Sequence, residues 1–105
     1  MNEKEALEAL GALSQEMRLR TLRFLISKGD HGAAAGEIAE AMGAISLKAS
    51  FHLAALERAD LITSERQSRK IIYRANLDAI GQLVSFLLNN CCGGHPDIRA
   101  CCGLP

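Results

Sequence analysis

No apolar run in this 105-residue chain approaches the roughly 20 residues that cross a bilayer. The charged opening Asn2, Glu3, Lys4 and Glu5 lacks the apolar stretch of a signal peptide. No membrane partner is expected, and the cytoplasm is the expected compartment. Aromatic residues are scarce at 4%, but 49% of the chain is hydrophobic, which suffices for one compact domain and excludes most multi-domain enzymes. Neither a Ser/His/Asp set nor a phosphate-cradling glycine loop is evident, so the chain does not read as an enzyme. Net charge is also lacking, with twelve basic and twelve acidic residues, so overall electrostatics select no partner. The distribution is uneven, at −3 over residues 1–16, +4 over 17–75 and −1 over 76–105. Finally, no cysteine occurs before position 91; all four (Cys91, Cys92, Cys101 and Cys102) fall in the last fifteen residues. Thiols crowded together in a reducing compartment favour metal or metalloid ligation over a disulfide framework.

What is present is helical periodicity. Asn2 followed by Glu5 resembles a capping box, and Ala6, Leu7, Leu10 and Leu13 recur at helical spacing, predicting a helix from about Glu3 to Ala12. Ser14 fits an N-cap for a second helix over residues 15–28, with Met17, Leu19, Leu22, Leu25 and Ile26 as its apolar positions and Gly29 as its stop. Residues 30–35 read as a Gly/Ala loop. A short helix over 37–42, a tight link at 43–45 and a longer helix over 46–59 have the proportions of a helix-turn-helix. Two β-favouring runs, 61–65 and 70–75, flank a polar tip and predict a hairpin. A last helix over 77–89 carries an apolar stripe of Leu77, Ile80, Leu83, Val84, Leu87 and Leu88, beyond which two glycines and a proline predict an irregular tail.

On the helix over 46–59, a step of 100° per residue turns Ala49, Leu53 and Leu56 inward and Leu47, Phe51 and Arg58 outward, flanked by Ser46, Lys48 and Ser50. Hydroxyls, one ammonium and apolar groups on an exposed N-terminal half suit a recognition helix in a major groove. His52 lies on the flank of the core side; it is counted among the candidate DNA contacts, although a local packing role fits it better. Arg66, Gln67, Ser68, Arg69 and Lys70 at the hairpin tip supply cations and polar groups for sugar-phosphate.

The segments LGALSQEMRLRTLRFLI, AGEIAEAMG, SFHLAALERADLITSERQSRKIIYRAN and CCGGHP resemble the arsenical-resistance repressor (ArsR/SmtB) family of winged-helix regulators, over residues 5 to 98. The resemblance implies a homodimer joined through the first and last helices, operator contact through the recognition helix and wing, and DNA release on binding a metal or metalloid. Apolar stripes left uncovered on a domain this small agree with pairing through Leu7, Leu10, Ile80, Leu83, Val84 and Leu87. A two-fold axis then sets the recognition helices about one DNA turn apart and predicts an inverted-repeat operator. The expected fold is mainly α with a small β-hairpin, a dimeric winged helix-turn-helix over residues 1–90, followed by a disordered cysteine-rich tail over 91–105.

Thiolates select soft ions. As(III) or Sb(III) needs three thiolates in a pyramid, whereas Zn(II) takes four ligands, available as Cys91, Cys92, Cys101 and Cys102 or as three of these with His95. The resemblance favours the metalloid, because a subgroup carries inducer cysteines in such a tail, and Cys91, Cys92, Gly94 and Pro96 match its pattern. Arg99 stands where that pattern has its third cysteine, and Cys101 and Cys102 follow it. The expected function is a repressor that needs no cofactor to bind DNA and is released by As(III) or Sb(III). Zn(II), Cd(II) or thiol oxidation are the alternative signals, and a soft-metal carrier without DNA binding is the alternative of another class.

Overall fold

The computed structural model describes residues 1–91. Helix α1 (Glu3–Leu13) starts on the predicted capping box: Asn2 Oδ1 accepts from the Glu5 amide at 2.8 Å, and Glu5 Oε1 accepts from the Asn2 amide at 3.0 Å. Its inward face is built from Ala6, Ala9 and Ala12, small enough to bring the helix close to its neighbours, while Leu7 and Leu10 point outward. Helix α2 (Glu16–Lys28) is capped by Gln15, whose Oε1 accepts from the Arg18 amide at 2.9 Å. Ser14 is therefore not the expected N-cap. Only two residues separate the helices, and the Ser14 hydroxyl instead donates to the Gly11 carbonyl at the end of α1. Leu22 and Leu25 are buried as expected, whereas Leu19 and Ile26 are exposed. Thr21 takes an inward position, its hydroxyl satisfied by the Met17 carbonyl at 2.7 Å.

The predicted loop over 30–35 is more ordered than its composition suggests. After a 3-10 turn at Gly29–His31, strand β1 (Ala33–Ala34) pairs antiparallel with a later strand, Ala33 opposite Tyr73 and Ala34 opposite Ile72. Gly32 makes that approach possible. Its φ is +63°, and a Cβ there would overlap the Tyr73 carbonyl oxygen and lie 2.8 Å from Arg74 Cγ and 2.9 Å from Ile72 Cγ2. Helix α3 (Ala35–Met42) ends at Gly43 in the left-handed conformation, and α4 (Ser46–Arg58) begins two residues on. Strands β2 (Ile62–Gln67) and β3 (Lys70–Ala75) form the wing, in register from Ile62 opposite Ala75 to Gln67 opposite Lys70. The sheet order is β1-β3-β2. Ser68 opens the two-residue turn at φ +60°, the sign that a type II′ hairpin requires there.

Leu25, Ile38, Leu53, Leu56, Leu61 and Ile62 form the fully buried centre, so α2, α3, α4 and the root of the wing share one core. Helix α5 (Leu77–Ser85) is capped by the Asn76 side chain and continues as a π-helical turn, Phe86–Cys91. The result is a mainly helical winged helix-turn-helix whose hairpin is enlarged to three strands by β1. Among the described residues, no helix is long and apolar enough to cross a membrane.

Candidate nucleic-acid interface

Helix α4 is held from behind. Ala49, Leu53, Ala55 and Leu56 are buried, anchoring it along its length, and the Glu57 carboxylate accepts from the Ser64 hydroxyl at 2.7 Å, tying its C-terminal end to β2. What faces outward is as predicted for Leu47, Lys48, Ser50 and Phe51, all exposed, with Leu47 at 80% and Phe51 at 61%. Ser46 opens the helix.

His52 does not belong to that surface. It is only 5% exposed, and its Nδ1 accepts from Arg18 Nε of α2 at 3.2 Å. This bond places the ring proton on Nε2, which finds no acceptor among the described residues. Burial, then the nearby positive charges of Arg18 and Lys48, hold the imidazole below its ordinary pKa of 6.5 and favour the neutral ring. His52 thus fixes α4 against α2 from within, and it is removed from the base-reading set. Arg18 also covers the Phe51 ring, with its guanidinium carbon 5.6 Å from the centroid, and the Phe51 and His52 rings meet edge to face at 5.7 Å.

Two residues escaped the sequence reading. By pattern Arg18 is one more polar residue on α2; its partners Phe51 and His52 lie 33 and 34 positions away, beyond the reach of any local pattern. Ile45 passed as linker but occupies the N-cap of α4, 71% exposed and making no side-chain cap bond. A hydroxyl or carboxamide there typically adds about 1 kcal/mol of helix stability. An isoleucine in a capping slot was the available signal.

On the wing, Arg66, Gln67, Ser68, Arg69 and Lys70 are all exposed. Gln67 Nε2 donates to Glu65 Oε1 at 3.1 Å, whereas the cationic groups of Arg66, Arg69 and Lys70 have no hydrogen bond or ion pair among the described residues. Arg74, nearer the root, is committed: Nη1 lies 2.8 Å from Glu65 Oε1 and Nε donates to the Asp30 carbonyl at 2.7 Å. Glu65 accepts from both Gln67 and Arg74, which holds its carboxyl below the usual range. No carboxylate occurs between Glu40 and Glu57, so the outward half of α4 is free of negative charge. An acid-free helix face beside unpaired cations is suited to a polyanion.

Of the expected dimer contacts, Leu7 and Leu10 are exposed, and Ile80, Val84 and Leu87 are half-buried. Leu83 is the exception: it is buried in the chain's own core, so it supports α5 from inside. Of the cysteine set, Cys91 ends the described chain, and Cys92, Cys101 and Cys102 lie outside the described residues, as does the predicted tail over 92–105. Among the described residues, no group of three or more His, Cys, Asp or Glu side chains is placed to hold a metal ion.

Residues 13–65 match the helix-turn-helix domain family. The HTH-type transcriptional regulator YgaV of Escherichia coli is 32% identical over 89 residues, covering 85% of this chain and 88% of that protein. Among solved structures, an ArsR-like transcriptional regulator from Rhodococcus sp. RHA1 superposes with a TM-score of 0.74 at 26% identity, covering 94% of this chain and 89% of that one. A homodimeric winged helix-turn-helix DNA-binding domain from Mycobacterium bovis, described as a possible ArsR-family regulator, gives 0.64 at 28% identity, covering 80% and 81%.

Proposed function

Because this chain belongs to the ArsR family of helix-turn-helix transcriptional regulators, we propose that it is a homodimeric repressor of an inverted-repeat operator, released when As(III) or Sb(III) binds its C-terminal thiols. The observation that carries the DNA reading is the two-sidedness of α4, anchored in the core through Ala49, Leu53 and Leu56 while Leu47, Lys48, Ser50 and Phe51 stand in solvent. A helix so held presents a rigid edge to a major groove, and the free cations of the wing neutralise phosphates beside it. A soft-metal carrier has no use for either feature.

The homodimer reading is supported by α1, where Leu7 and Leu10 lie outside the chain's own core, and by the half-buried Ile80 and Val84 of α5 and Leu87 of the π-helical turn that continues it. Pairing α1 and α5 across a two-fold axis covers these side chains. The inducer reading rests on the sequence of the tail. Four thiols within twelve residues supply the three soft ligands that a pyramidal As(III) or Sb(III) centre takes, with Cys91 and Cys92 as two and Cys101 or Cys102 as the third. Since Cys91 ends the π-helical turn that continues α5, binding there acts on the helix that also joins the dimer.

Fluorescence anisotropy on a duplex from its own promoter, under reducing conditions and with arsenite, antimonite, zinc and cadmium added in turn, tests the proposal. The expected result is tight binding by a dimer of twice 11.3 kDa and release by arsenite or antimonite alone. Release by zinc or cadmium instead would overturn the metalloid. Binding unaffected by all four would overturn ion sensing and point to oxidation; absence of specific binding would overturn the repressor.

A further inference from the structure

Three apolar side chains at the start of α4 are unaccounted for by phosphate binding. Leu47 and Ile45 are the two most exposed large apolar residues among those described, and Phe51 shares third place with Leu7. They fall within seven consecutive residues. Leu47 and Phe51, four apart, are neighbours on one helix face, and Ile45 sits at the N-cap immediately before it. Ile45 forgoes the cap bond that a polar residue would make there, so its side chain serves something other than helix stability. Phe51 is not loose: the Arg18 guanidinium and the His52 ring hold it from the protein side.

The same stretch is poor in the groups that read bases by paired hydrogen bonds. From Ile45 to Glu57 there is no Asn or Gln, so the two-bond contact to adenine is absent from this stretch, and with no Arg ahead of Arg58, the last residue of α4, Lys48 is its one side chain able to donate to guanine N7 and O6. Among the described side chains of this stretch, Lys48 and Ser50 are the exposed polar ones ahead of Glu57. In the major groove the one apolar feature of the base edges is the thymine 5-methyl group. A second copy of the chain is a poor occupant for this patch, since the outward apolar side chains of α1 and α5 already supply a pairing surface, and Lys48 and Arg18 rim the patch with positive charge suited to DNA.

We infer that α4 reads its half-site through thymine methyl groups, packed by Ile45, Leu47 and Phe51, so the base pairs met by these three side chains are A·T pairs. This rests on the DNA-binding reading above. Burying one methyl is worth about fourfold in affinity, and two or three such contacts per half-site multiply.

The test footprints the protein on its promoter, then compares a synthetic duplex of the protected sequence with one in which deoxyuridine replaces thymidine throughout both half-sites. Deoxyuridine keeps every hydrogen-bonding edge and removes only the methyl. The expected result is at least a tenfold loss for the unaltered protein and a much smaller loss for a Leu47→Ala/Phe51→Ala variant. The variant should stay folded with a small fall in its thermal midpoint, because Leu47 stands in solvent and Phe51 gives up only its contacts with Arg18 and His52. Equal binding of the two duplexes, or half-sites without thymine, overturns the methyl reading while leaving DNA binding in place. An equal loss in protein and variant also overturns it, by assigning the effect to altered DNA shape. Absence of any footprint overturns the underlying DNA reading itself.

Discussion

Neutralising the wing tip should change how binding responds to salt more than it changes anything else. Arg66, Arg69 and Lys70 are exposed and have no carboxylate partner among the described residues, so each has a full charge to offer a phosphate. Each phosphate neutralised contributes about 0.9 to the slope of log affinity against log salt. The triple variant Arg66→Ala/Arg69→Ala/Lys70→Ala therefore loses a slope of about 2.7 per protomer and about 5 per dimer. A slope difference of 5 means that tripling the salt penalises the unaltered protein about 250-fold more than the variant. Anisotropy titrations on one duplex at 50, 100 and 150 mM salt measure this directly. Arg74→Ala is the matched control: its guanidinium is already bound to Glu65 and to the Asp30 carbonyl, so its removal should weaken the wing root and leave the slope unchanged. If the triple variant kept the slope of the unaltered protein to within about 0.5, the wing would not touch the DNA backbone. A slope lost equally in the Arg74 variant would mean that wing placement, not tip charge, is what the salt reports.

Three further predictions concern the fold and the tail. The fold favours neutral His52, so the unfolded chain gains the proton first as pH falls below 6.5; stability is full above that value and declines below it by up to about 1.4 kcal/mol per pH unit until the native ring titrates. Urea midpoints from pH 5.5 to 7.5, at one protein concentration, should show this decline, and His52→Leu should remove it; a decline unchanged by the substitution would place it elsewhere. Gly32→Ala forces a Cβ into β3 at a positive φ and should cost about 2–4 kcal/mol, seen as a fall of 10 °C or more in the thermal midpoint. Gly36→Ala, in open space on α3, should instead stabilise by up to about 1 kcal/mol, and a Gly32 variant melting like it would sink the packing argument. Cys91→Ser and Cys92→Ser should each abolish arsenite-driven release with apo affinity kept; release surviving deletion of residues 91–105 would refute tail ligation.

Much of the interface could be read from periodicity alone, because α4 must repeat its inward contacts every three to four residues. Ala49, Leu53 and Leu56 obey that spacing, which left Leu47 and Phe51 no place but the surface. The capping box at Asn2 and Glu5, the Gly29 and Gly43 stops and the hairpin were legible for similar reasons: each is a local device with its signal within a few residues. What was not legible is non-local or too short to have a period. Strand β1 is two alanines, recognisable only by its pairing with Tyr73 and Ile72. The inward turn of Leu83 depends on which side of α5 meets the core, a choice that an apolar stripe six residues strong leaves open. His52 lies on the border between the two faces of α4, and its burial is decided by Arg18 arriving from α2.

The polar groups of this domain divide by whether they have partners, and the division follows position. At the root of the wing, Arg74 is held by Glu65 and the Asp30 carbonyl; behind α4, Arg18 is held by His52, and Glu57 receives Ser64. Each of these contacts joins elements that must keep a fixed geometry. Toward the tip of the wing and the outer face of α4 the pattern inverts: cations lack carboxylates, and Ile45, Leu47 and Phe51 lack apolar cover. Unpaired charge and exposed apolar surface contribute little to the stability of the free chain, whereas the same groups are rewarded in contact with phosphates and methyls. Satisfied contacts thus position the surface and unsatisfied ones await the ligand. It follows that substitutions at Arg18 or Arg74 should disturb binding through the fold, and substitutions at Leu47 or Arg69 should disturb it without touching stability.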